Sequence, residues 1–124
     1  MKRIRGDLAP FLKVGDFMTF TINNHIWQLK FVKPSSRNLL RSDGSWTFGV
    51  TDNNVKTVFL LENMSDYMTD KVLMHELCHT HAIEYNYYMP IEVEEIVCDF
   101  MSLYGRSVVY MADEIMRNIL RRIA

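Results

Sequence analysis

A chain of 124 residues with 48% hydrophobic residues, 23% charged residues and a formal charge of −1 has the makeup of a folded globular domain. That excludes intrinsic disorder, fibrous repeats and a strongly basic nucleic-acid arm. No stretch is long and apolar enough to span a bilayer, and no apolar segment follows the basic start Met1-Lys2-Arg3-Ile4-Arg5, so neither a membrane span nor a secretory signal is expected.

The first half reads as β structure. Residues 17–22 and 25–32 are rich in aromatic and β-branched side chains, and Asn23-Asn24 between them suits a two-residue hairpin turn because Asn tolerates positive φ. Residues 33–45, with Pro34, Ser35, Ser36, Asp43 and Gly44, read as a loop. Residues 46–51 and 55–61 form a second strand pair turned by Asp52-Asn53-Asn54. An antiparallel sheet of about four strands is expected.

From Ser65 the period changes. Met68, Val72, Leu73, Leu77, Ala82 and Ile83 follow helical spacing, with Ser65 or Thr69 as the cap, and Tyr85-Asn86-Tyr87-Tyr88-Met89 breaks the run. Pro90 opens a second helix with Ile91, Ile96, Phe100 and Leu103 on its apolar side. Gly105 is expected to end or bend it, leaving a further helix over residues 107–121. Strands followed by helices give an α+β fold, a single domain over residues 1–124.

The near-zero net charge hides an asymmetry. Residues 62–99 carry nine acidic side chains against Lys71 alone, whereas residues 1–61 have an excess of five positive charges. Two readings stand for this acidity, solvated helix starts and faces or charge balanced in part by a bound cation, and charge alone does not decide between them.

Within the first helix stands His75-Glu76-Leu77-Cys78-His79. Histidines at i and i+4 lie one turn apart on one face, so both imidazoles reach a single ion, and Glu76 beside them accepts a proton from metal-bound water. A catalytic zinc takes three protein ligands and a water. His81 points to the other side of the helix and His25 lies in a distant strand, so the third ligand is expected to be a carboxylate of the next helix. Glu92, Glu94, Glu95 and Asp99 are available there. Glu95 is assigned over Glu94 because only Glu95 has an aspartate four residues on, and Asp99 is assigned to orient one histidine through its other ring nitrogen.

His75-Glu76-x-x-His79 followed by Glu95-x-x-x-Asp99 resembles a minimal gluzincin. The strand Phe48-Gly49-Val50-Thr51-Asp52 and the run Cys98-Asp99-Phe100 are similar to those of small ImmA/IrrE-like zincins, many of them carried by phages and mobile elements. The resemblance covers roughly residues 46–105. It implies a zincin-like fold, one zinc per chain, and hydrolysis of peptide bonds in a particular protein substrate, with Glu76 as general base. Tyr85, Tyr88, Tyr104 and Arg106 are the candidates to steady a tetrahedral intermediate.

Cys78 and Cys98 are too few for a disulfide framework and read as reduced thiols of a cytoplasmic protein, buried as small apolar residues. The rival reading has Cys98 filling the fourth zinc position, which turns the site into a structural one and the chain into an interaction module without catalysis. Nucleic acid is not an expected partner: Lys30, Lys33, Arg37 and Arg41 cluster around the loop, but the isoelectric point is about 6.4.

Overall fold

The computed structural model describes residues 17–123. The basic start of the chain lies outside them. Strands β1 (Phe17–Ile22), β2 (His25–Val32), β3 (Gly49–Asp52) and β4 (Thr57–Leu61) precede helices α1 (Asp66–Glu84) and α2 (Ile91–Ile123), with a short 3-10 turn at Arg37–Leu39. The α+β class is as expected. No helix among the described residues is long and apolar enough to cross a membrane.

Asn23 and Asn24, with φ of 51° and 66°, make the tight turn between β1 and β2. The sheet is mixed, which corrects the expected antiparallel arrangement. Its strand order is β1-β2-β4-β3, with β2 and β4 parallel and the other two pairings antiparallel. The cause is the connection over residues 33–48. It carries the chain across the sheet so that β3 becomes an outer strand and β4 returns between β3 and β2. Thr47 N–H donates to the Leu39 carbonyl and Leu40 bridges Trp46, which ties this connection to itself. The expected strand at residues 46–51 is therefore regular only from Gly49, and β4 begins at Thr57 after Lys56 adopts a φ of 48°.

Alternation places Trp27, Leu29, Val58 and Leu60 on one sheet face, where they form the buried core against Val72, Leu73 and Ile83 of α1. The register Gly49↔Leu60 and Thr51↔Val58 puts Gly49 and Thr51 on that same helix-facing side. Gly49 is needed there. A Cβ at this position would lie 2.6 Å from Val72 Cγ1 and 3.1 Å from Glu76 Cγ, so only glycine lets the outer strand approach α1 this closely.

Ser65 caps α1, its hydroxyl accepting from Met68 N–H. At the other end Glu84 is anchored in the sheet. Its side chain is 2% exposed. It accepts from His25 Nδ1 at 2.5 Å, Trp27 Nε1 at 2.6 Å and Lys56 Nζ at 3.3 Å. The hydrogen bonds from His25 and Trp27, against the opposing effect of burial, hold this carboxyl at about 2, well below the usual range near 4.5. The stabilisation is therefore complete above about pH 4.5 and is lost as pH falls through about 2. Glu84→Gln is expected to be less stable at neutral pH and to lose less stability between these two values. Denaturant unfolding at a series of acidic pH values measures the difference; parallel curves for the two proteins would contradict it.

The helix α2 corrects a second expectation, because it runs unbroken from Ile91 to Ile123 with Gly105 inside it. Gly105 is buried, and a Cβ there would lie 3.1 Å from Met74 Cε. The glycine thus serves close packing of α2 on α1.

Candidate metal centre

The α1–α2 contact brings the singled-out residues together. His75 and His79 project from one face of α1, with their rings edge to face at 5.0 Å between centroids. Glu95 faces them from α2. Its Oε1 lies 3.1 Å from His75 Nε2 and its Oε2 3.2 Å from His79 Nε2. Behind the rings, Asp99 Oδ1 lies 2.9 Å from His75 Nδ1 and Glu94 Oε2 lies 2.5 Å from His79 Nδ1. Each imidazole therefore has a carboxylate at both nitrogens.

This arrangement has a direct chemical meaning. A neutral imidazole that gives its Nδ1 proton to a carboxylate presents a lone pair at Nε2. Two such lone pairs and the Glu95 carboxylate then converge on one region, and a shared cation satisfies all three. Neighbouring ligand atoms of a tetrahedral zinc with bonds of about 2.0–2.1 Å stand roughly 3.3 Å apart, close to the separations here. The nitrogen and oxygen donors fit zinc, and the outer carboxylates fit the usual support of metal-binding histidines.

Cys98 also comes close. His75, His79 and Cys98 each offer a ligand atom within 4.8 Å of the others, a cluster able to bind a metal. Cys98 is fully buried, and burial, the neighbouring Cys78 thiol and the charges of Glu94 and Glu95 all push its thiol upward.

Glu76 occupies a different position. It is only 5% exposed and lines a cleft of about 500 Å³ together with both histidines, Glu95 and β3. Thr51 Oγ1 donates to Glu76 Oε1 at 2.8 Å and also lies 3.1 Å from the Glu76 carbonyl, which fixes the side chain. Burial pushes the Glu76 carboxyl up, the Thr51 hydrogen bond and the two imidazoles pull it down, and Glu95 adds to the rise. The net direction is upward, toward a group able to exchange protons nearer neutrality.

The other singled-out residues lie elsewhere. His81 hydrogen-bonds the Leu77 carbonyl and stacks on Tyr85, and His25 belongs to the Glu84 anchor. Arg106 is paired with Asp70, and Tyr104 packs on Phe100. Neither they nor Tyr85 and Tyr88 line the cleft; Arg41 does. Three contributions were not assigned from sequence: Glu94 behind His79, Thr51 on Glu76, and Arg41 at the cleft. For Glu94 a signal existed. Ile91, Glu94, Glu95, Cys98 and Met101 recur every three or four residues, so one helix face holds both glutamates. No family model, curated protein or solved structure matches the chain.

Proposed function

We propose that the chain is a zinc-dependent metallopeptidase of the gluzincin type, with a zincin-like fold similar to the small ImmA/IrrE-like enzymes. His75, His79 and Glu95 hold one zinc, Asp99 and Glu94 orient the two histidines, and Glu76 is the general base. The observation that carries this reading is the convergence of both Nε2 atoms on the Glu95 carboxylate, with Glu76 buried alongside in the same cleft.

When bound, zinc supplies Lewis acidity, which makes water nucleophilic near neutral pH and polarises a scissile carbonyl. Glu76 takes the proton of the attacking water on a carboxylate oxygen and delivers it to the departing amide nitrogen as the C–N bond breaks. Thr51 keeps that carboxylate aimed into the cleft. The substrate is a protein or peptide in extended form. Phe48 O accepts from Leu61 N–H, so alternation along β3 turns the peptide groups of Gly49 and Thr51 away from β4, toward the outer edge. An extended chain that pairs with this edge lies along the cleft beside Glu76. Zinc-loaded protein is expected to generate new peptide termini in proteins of its native host, detectable by mass spectrometry. A chelator should stop this and zinc restore it; no new termini under any zinc condition would overturn the reading.

The His75–His79–Cys98 cluster favours a second reading, a zincin-fold interaction module with a closed, structural zinc site. The two separate by substitution. With Glu95 as ligand, Cys98→Ser changes zinc affinity little and Glu95→Ala weakens it strongly. With Cys98 as ligand, Cys98→Ser releases zinc and destabilises the fold, because metal binding then contributes directly to folding. Cobalt in place of zinc gives an independent signal, since a thiolate ligand produces an intense sulfur-to-metal charge-transfer band. Such a band, lost in Cys98→Ser, would favour the module.

A further inference from the structure

The second half of α2 leaves the body of the domain. α1 has 19 residues and α2 has 33, so α2 is about 50 Å long against about 28 Å for its neighbour. Close to the start of α1, Arg106 of α2 pairs with Asp70. From Arg106 to Arg122 every residue is exposed.

This arm is strongly two-faced. Cys98, Met101 and Gly105 form part of the stripe of α2 directed at α1, and the same spacing of three and four residues continues through Val108, Ala112, Ile115 and Ile119. Met111, Met116 and Leu120 widen it, and the apolar members of this face other than Ala112 are 44–59% exposed. Arg106, Asp113, Glu114, Arg117 and Arg121 occupy the opposite side and its margins. A helix of this length without packing is marginal in water, and an apolar face of this size on a soluble surface marks an interaction site.

We propose that a second copy of this chain covers the face, the two arms pairing antiparallel about a two-fold axis near Ile115. Continuity is the first argument, since the stripe prolongs a helix-packing interface already formed with α1. Charge is the second. Parallel arms would set Arg122, which follows Ile115 and Ile119 in the spacing of the apolar stripe, against the same residue of the other copy. Antiparallel arms about Ile115 put the two Arg122 side chains about 21 Å apart along the axis, seven residues to either side of it, each opposite Val108 of the other copy. Area is the third: seven such side chains leave on the order of 700 Å² per copy, near the roughly 800 Å² per partner of a standard interface.

Sedimentation equilibrium of the full chain up to about 100 μM is expected to give a dimer. Ile115→Glu combined with Ile119→Glu should weaken it at least about 100-fold. Near-ultraviolet circular dichroism from Trp27 and Trp46 checks that this variant keeps its folded body. Orientation is read by mild oxidation, with the wild-type chain as background. Ile115→Cys should cross-link to itself, while Ile119→Cys should cross-link only when mixed with Met111→Cys, since its own copies would stand beyond disulfide reach. A monomer throughout that concentration range overturns the proposal, including one whose arm is covered by residues 1–16 or inserts into lipid vesicles. So does a dimer indifferent to the paired substitutions. Self-linking by Ile119→Cys overturns the antiparallel arrangement.

Discussion

Glu76→Gln is expected to abolish hydrolysis while leaving the fold and the bound zinc in place. The amide keeps the shape of the carboxylate and can still accept the Thr51 hydrogen bond through its oxygen, so the cleft wall between β3 and α1 persists. What it cannot do is accept the proton of the attacking water. Loss of a general base costs about 10²–10⁴-fold in rate. The comparison requires equal zinc content and equal melting temperature for the two proteins, followed by the cleavage rate on the same substrate. A variant cleaving at close to the wild-type rate would remove Glu76 from the mechanism. Thr51→Val is a useful companion. It frees the Glu76 side chain and removes a hydrogen bond that lowers its carboxyl, yet leaves a carboxylate able to take the proton, so its effect on rate should be smaller than that of Glu76→Gln.

The second large effect concerns the metal. His75→Ala or His79→Ala should each end stoichiometric zinc binding, because the two remaining ligands hold the ion poorly and the outer carboxylate loses its imidazole. Asp99→Asn and Glu94→Gln should lie between wild type and these variants, with affinity or activity lower by about 10–100-fold. Glu94 provides the sharper test. It touches His79 Nδ1 at 2.5 Å, so its replacement should resemble that of Asp99. Zinc content by elemental analysis and competition with a chelator measure the series. Wild-type protein that takes up no zinc at neutral pH would dismiss the site altogether.

Local features that depend on near neighbours were legible in the amino-acid sequence. The Asn23-Asn24 turn, a cap at Ser65 or Thr69, the placing of His75 and His79 on one helix face and the pairing of Glu95 with Asp99 on the next all follow from backbone preferences and helical period, and the structure selects Ser65 as the cap. These act over a few residues, and the tertiary packing of this chain leaves them in place. That Glu95 faces both histidines is a different matter, because it depends on how α2 packs on α1.

Features that depend on contacts far apart in the chain became visible in the folded molecule. The parallel pairing of β2 with β4 follows from the path of residues 33–48 across the sheet, and no strand propensity encodes that path. Thr51 meets Glu76 because the outer strand packs on α1, and Glu84 meets His25, Trp27 and Lys56 because the helix ends over the sheet. Gly105 shows the difference most plainly. Its intrinsic preference argues for a helix end, yet the helix continues through it, since the missing side chain lets α2 close on Met74 and that packing outweighs the propensity cost of about 1 kcal/mol.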